Sequence, residues 1–85
     1  MAGCTADSFA NVSAAAFKCL VAKAAKYGVK IDGNSGSAGA SGFTIKWNYD
    51  PAASKLTIQC TDKPFWAPCS TIRGKVKEEV QSCTG

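Results

Sequence analysis

The sequence contains no histidine, and this absence removes most common catalytic designs. Ser-His-Asp and Cys-His catalysis need an imidazole, and most zinc sites use histidine or a Cys-x-x-Cys pair, which is also missing. Paired carboxylates are not evident either, because Asp32, Asp50 and Asp62 lie at predicted strand ends, where turn and capping roles are typical. We therefore expect no catalytic residues, no metal, no cofactor and no enzymatic activity.

Long apolar runs are missing as well. The chain has no stretch of about 18 apolar residues, so neither a membrane-spanning segment nor a membrane partner is expected. Its start, MAGCTADSF, lacks the basic and then apolar pattern of a secretory signal. We expect a cytoplasmic protein, or a secreted one if its cysteines form disulfides. The length of 85 residues fits one small domain.

Residues 43–62 carry the clearest structural pattern. Apolar and polar residues alternate in both halves of this segment, which is typical of two half-buried strands. The apolar positions are Phe43, Ile45, Trp47, Tyr49, Leu56, Ile58 and Cys60. Between the halves, Asp50-Pro51 predicts a tight turn, because the carboxylate can accept from backbone amides and proline presets φ. The segment therefore predicts a β-hairpin with one apolar face.

The spacing of apolar residues predicts an amphipathic helix on each side of this hairpin. The first is expected from Asp7 or Ser8 to Tyr27, with Gly28 as its stop, and the second from Ser70 or Thr71 to Cys83. A short strand is expected at residues 29–32. The sequence thus predicts an α+β domain of order α-(β)-β-β-α at residues 7–85, with an antiparallel sheet that carries both helices on one face. Residues 1–6 are expected to be a flexible tail.

Residues 33–42 read GNSGSAGASG and contain no large apolar side chain. We expect a mobile surface loop there. A phosphate-binding loop is the functional alternative, but it would need a helix after it and a lysine within it, and neither is predicted.

Five cysteines are many for this length, and their number is odd. Because four of them fall where a small buried hydrophobe would fit, we expect reduced packing residues, with Cys4 as the exposed thiol. Disulfides are the alternative. In that case, the inward faces of the elements favour a bridge from Cys60 or Cys19 to a cysteine of the second helix.

Residues 65–69 read Phe-Trp-Ala-Pro-Cys. This string resembles the approach to the redox cysteine of thioredoxin-like proteins and implies a reactive thiol at Cys69, where the start of a helix would lower the pKa. The resemblance ends after five residues, because Ile72 stands where that family has its second cysteine or a serine. Thiol chemistry at Cys69 or Cys4 is therefore our third functional hypothesis.

Basic residues cluster on the two predicted helices and give a net charge of +4. The candidate anion-binding residues are Lys23, Lys26, Lys30, Arg73, Lys75 and Lys77. With a strand at 29–32, the element order would also equal that of double-stranded-RNA-binding domains, although STIRGKVKE does not match the lysine cluster that opens their last helix. Nucleic-acid binding is therefore the second hypothesis.

Four aromatic residues lie near strand ends and in the loop that follows the hairpin: Trp47, Tyr49, Phe65 and Trp66. They either complete the core or form an exposed patch suited to a partner. Our first hypothesis is a small non-enzymatic binding or protein-interaction domain. Homodimerisation through an open sheet edge or the aromatic end fits this interpretation.

Overall fold

Two helices and a four-stranded antiparallel sheet make up the computed structural model, which describes residues 3–40 and 42–84. The elements are β1 (Asp7–Phe9), α1 (Ala14–Lys26), β2 (Ser35–Ala40), β3 (Phe43–Asp50), β4 (Lys55–Asp62) and α2 (Cys69–Thr84). This confirms the predicted α+β fold class. Residues 1 and 2 of the expected tail, and residue 41 of the expected loop, lie outside the described ranges, as does residue 85.

The predicted hairpin is confirmed as β3 and β4. Trp47 faces Ile58 and Tyr49 faces Leu56 across this pair. The Asp50 carboxylate accepts hydrogen bonds from the backbone amides of Ala52 and Ala53, as expected of an Asp-Pro turn. The sheet order is β1-β4-β3-β2, so the hairpin forms its centre.

The glycine- and serine-rich segment was expected to be a loop, but residues 35–40 form the edge strand β2, which pairs with β3. Its small residues have a packing reason. A Cβ atom on Gly36 would lie 3.1 Å from Cζ2 of Trp47, so only glycine lets the indole lie over this strand. The indole N–H then donates to the carbonyl of Gly33 at 3.2 Å. The strand expected at 29–32 does not form, and Ile31 packs against the core instead.

The first helix begins later than predicted. Residues 7–9 form β1, in which Phe9 faces Leu56 of β4, and Asn11 then takes a left-handed conformation with φ of 60°. Ser13, rather than Asp7 or Ser8, is the N-cap, because its hydroxyl accepts from the amide of Ala16. The expected stop at Gly28 is confirmed, with φ of 81°.

The helices lie side by side on one face of the sheet and run in opposite directions. Cys19 meets Cys83 across the pair, and one turn further Lys23 meets Glu79. The C-terminal end of α1 is therefore next to the N-terminal half of α2. Within the described ranges, neither helix is long and apolar enough to cross a membrane.

The core is closed at one end of the molecule, near the start of α1. The phenolic hydroxyl of Tyr49 donates a buried hydrogen bond of 2.7 Å to the carbonyl of Val12, and its ring stacks on Phe17 with centroids 4.4 Å apart. Leu56 is fully buried beside them. We call this part of the molecule the closed end.

We expect Tyr49→Phe to lower the free energy of unfolding by about 1–3 kcal/mol, because the buried Val12 carbonyl loses its side-chain donor. Urea unfolding followed by circular dichroism measures the change. Tyr27→Phe is the matched control, since the Tyr27 hydroxyl is at the surface. Equal losses in the two variants would contradict the assigned role of this bond.

Candidate functional site

An apolar cavity of about 430 Å³ lies between the sheet and the helices and opens to solvent. Its floor is formed by core residues such as Trp47 and Leu56, and its lining is almost entirely apolar. Toward the end opposite the closed end, Phe43, Ile45 and Ile72 line it and are only half-buried. We call that part of the molecule the open end.

Small side chains of the helices form part of the cavity lining. Ala24 of α1 and Thr71 of α2 line the cavity and are small. Tyr27, which helical periodicity predicts on the buried face, is 53% exposed instead. Its hydroxyl donates to the Glu79 carboxylate at 3.3 Å. The ring that could have filled the cavity therefore lies at its rim.

The rim between the helices is polar and charged. The Glu79 carboxylate lies 3.5 Å from the ammonium groups of both Lys23 and Lys75. Desolvation opposes ionisation of Glu79, but these two cations lower the pKa of its carboxyl below the usual value. The ammonium of Lys75 also lies 5.6 Å from the ring centre of Tyr27. Charged and hydrogen-bonding groups thus stand beside an apolar interior.

The four aromatic residues singled out from the sequence do not form one patch. Trp47 and Tyr49 are buried, and Trp47 lines the cavity, so they belong to the core. Phe65 is 93% exposed and Trp66 is 68% exposed, and both lie in the connection between β4 and α2. The ring of Trp66 contacts Phe43 edge-on, with centroids 6.3 Å apart. The exposed pair therefore stands next to the open end.

The six candidate anion-binding residues lie in the adjoining halves of the two helices or just beyond, but three of them are held by carboxylates. Besides Lys23 and Lys75, Arg73 makes two hydrogen bonds of 2.7 and 2.8 Å to Asp7 of β1. These bonds lower the pKa of the Asp7 carboxyl. Lys26, Lys30 and Lys77 are exposed. The arrangement neutralises part of the predicted basic patch.

Four of the five cysteines are in disulfides, Cys4–Cys69 and Cys19–Cys83, so the expectation of reduced cysteines is wrong for them. Cys4 and Cys69 were the candidate reactive thiols, and each is the other's partner. Cys4 is buried rather than exposed, because its amide bonds to the Cys60 carbonyl at 2.8 Å and the chain there runs beside β4. The alternative bridge from Cys19 to the second helix is present.

Cys60 has no disulfide partner, although all five cysteines lie in the described ranges. Burial raises the pKa of its thiol above the usual value, in spite of a hydrogen bond from Sγ to the Asp62 carbonyl. Both effects of burial, blocked access and a protonated sulfur, make this thiol unreactive.

We expect a thiol titration of protein denatured without reductant to give one thiol per chain, and five after reduction. In the native protein even that single thiol should react slowly, because Cys60 is buried. Five thiols without reductant would contradict both bridges, and rapid native labelling would contradict the burial of Cys60.

We expect Asp7→Asn to destabilise the protein at neutral pH and not in strong acid. Because Arg73 lowers the pKa of Asp7 from its ordinary 3.8, the contribution of the carboxylate is present above that value. It is lost as the pH falls through the lowered pKa, where the carboxyl is protonated. Urea unfolding at several pH values measures the difference, and Asp32→Asn is the control at an exposed carboxylate outside this pair. A difference that persists in strong acid would contradict the ion pair as its source.

No protein-family model, no curated protein and no solved structure matches the chain. The described residues offer an apolar cavity with an open end, a charged rim between the helices, and two exposed aromatic rings beside that end.

Proposed function

We propose that this protein is a binding protein that holds a small apolar molecule in the cavity between its sheet and its helices. The observation that carries the proposal is the cavity itself, about 430 Å³ of apolar-walled space in a chain of 85 residues. Ligand pockets of proteins span roughly 300–1,000 Å³ and are mostly apolar with a few polar groups. The size and the lining of this cavity both fall within that description.

An apolar occupant is favoured over water. The space has room for several water molecules and opens to solvent, but its walls are almost entirely apolar. Buried water is favourable where two to four polar partners hold it, and the walls supply few. An apolar ligand that displaces this water gains the hydrophobic contribution of both surfaces.

The disulfides restrain the two helices in advance of binding. Cys19–Cys83 fixes α1 against α2, and Cys4–Cys69 fixes the first residue of α2 to the chain beside β4. Each closes a loop of more than 60 residues and contributes about 4 kcal/mol in the chain-entropy description. Because these bridges limit the movement of the two helices, less ordering is needed when a ligand binds.

The rim provides a place for a polar group of the ligand. Lys23, Lys75, Glu79 and the Tyr27 hydroxyl are within reach of one another at the edge of the cavity. A molecule with one hydrogen-bonding end and an apolar body would satisfy both regions. The two disulfides are compatible with an oxidising environment, and we place the proposed binding there.

The experiment uses N-phenyl-1-naphthylamine, an apolar dye whose fluorescence rises in apolar sites. We expect the wild-type protein to bind it and Ile72→Trp to bind at least about tenfold more weakly, because the indole occupies the cavity. Gln81→Trp adds the same ring at an exposed position of the same helix and should bind like the wild type. Ile72→Trp should also unfold at an equal or higher temperature, because it fills a void.

Two outcomes would count against the proposal. Wild-type protein that leaves the dye fluorescence unchanged would show that the cavity does not accept apolar molecules. Equal binding by wild type and Ile72→Trp, in variants that keep their circular dichroism spectrum, would place the dye elsewhere on the surface.

A further inference from the structure

Phe65 and Trp66 are the most exposed large hydrophobic side chains in residues 3–40 and 42–84. They are consecutive, and they occupy the two central positions of a turn that the Ala67 amide closes by donating to the Pro64 carbonyl at 3.1 Å. We call residues 64–67 the aromatic turn. Apart from Tyr27, the other aromatic side chains are at least partly buried. Two adjacent aromatic rings exposed to water therefore indicate a surface that binds a partner.

The aromatic turn is held in place from several sides. Ala67 is buried, and Cys69 follows it with its bridge to Cys4. On the other side, the ring of Phe43 contacts Trp66, and a Cβ atom at Gly42 would lie 3.3 Å from Cγ of Pro64. The two rings therefore stand on a fixed support, so that little conformational entropy is lost when they bind.

Although the lack of a long apolar run predicts no membrane partner, we propose that the aromatic turn docks the protein on anionic lipid surfaces by inserting Phe65 and Trp66 into the headgroup region. This inference does not rest on the proposed ligand binding, because it concerns the outer surface of the turn. Aromatic side chains favour the interface of a bilayer, where an apolar ring and a polar edge are both accommodated.

The exposed area favours a lipid surface over a second copy of the chain. Phe65 and Trp66 together offer roughly 350 Å² of exposed ring, whereas a stable protein interface needs about 800 Å² on each partner. A bilayer needs no matching surface, since its chains and headgroups rearrange around an inserted side chain.

The charge around the turn favours anionic lipids. Lys63 stands two residues before Phe65, and the exposed Lys26 is the last residue of α1, on the side of the open end. The whole chain carries +4. Cations within a Debye length of an anionic surface strengthen the attachment of an inserted hydrophobic group, and either signal alone is weak.

A protein docked through the aromatic turn would have the open end of its cavity close to the lipid surface. Phe43 lines the cavity and also contacts Trp66, so a surface that receives Trp66 lies next to the open end. Apolar molecules could then pass between the lipid and the cavity with little exposure to water. Docking would thus present the cavity to a source of apolar ligands.

The test is co-sedimentation of the disulfide-bonded protein with vesicles of phosphatidylglycerol and phosphatidylcholine in equal parts. We expect binding to these vesicles that weakens with salt and is at least about tenfold weaker with phosphatidylcholine alone. Phe65→Ser/Trp66→Ser should lower the partition coefficient at least about tenfold, because both inserted rings are lost. The double variant should give the same thiol titration and circular dichroism spectrum as the wild type, since the replaced rings are exposed.

Two further variants separate the turn from the rest of the molecule. Trp66→Phe should keep most of the binding but lose the blue shift of tryptophan emission that lipid causes in the wild type, because Trp47 is already buried. Ile72→Trp should bind vesicles like the wild type, so that a failure of the cavity and a failure of the turn give different results.

Wild-type protein that stays in the supernatant with both kinds of vesicle would overturn the proposal. Undiminished vesicle binding by Phe65→Ser/Trp66→Ser would also overturn it, as would equal binding to the two lipid compositions. A concentration-dependent dimer in sedimentation velocity that these serines abolish, without vesicle binding, would instead assign the turn to contact between copies of the chain.

Discussion

The bond between Cys19 and Cys83 fixes the two helices against each other, and the shape of the molecule follows from it. Antiparallel helices joined at this point bring Lys23 and Tyr27 to Glu79. Near the closed end, Tyr49 and its neighbours fill the space below the helices. Toward the other end, the side chains of the helices and of the sheet leave a cavity between them. The core is thus dense at one end and open at the other.

The hairpin and α2 were predictable because their apolar residues repeat with a clear period, although α2 begins at Cys69, before the predicted caps Ser70 and Thr71. The edge strand β2 was not, because its glycines and serines have low β propensity and no pattern. Its strand conformation comes from pairing with β3, the next strand in the chain, and from the packing of Trp47 on Gly36. For α1, Asp7 and Ser8 are good caps, but pairing of Phe9 with Leu56 takes them into the sheet.

The candidate site also has features that the sequence predicts and features that it does not. The Cys19–Cys83 bridge follows from two cysteines on facing helix surfaces, and was among the pairings that the helical pattern favoured. The Cys4–Cys69 bridge depends on the path of residues 3–6 beside β4, which no local signal in the sequence encodes. The cavity is also invisible in the sequence, because it arises where Tyr27 turns outward from a face that its periodicity assigns to the interior. Exposure of Phe65 and Trp66 was one of two open alternatives, and the adjoining prolines alone could not decide it.

The contact between Trp47 and Gly36 has a consequence for strand alignment. A strand of serine, glycine and alanine could slide along its neighbour, because nearly identical side chains would meet β3 in either alignment. A shift by one residue would bring Ser35 or Ser37 opposite Trp47, and either would place a Cβ atom where the indole lies 3.1 Å from the corresponding position on Gly36. The missing side chain of Gly36 therefore favours the observed register of β2, together with the two-residue connection between Ala40 and Phe43.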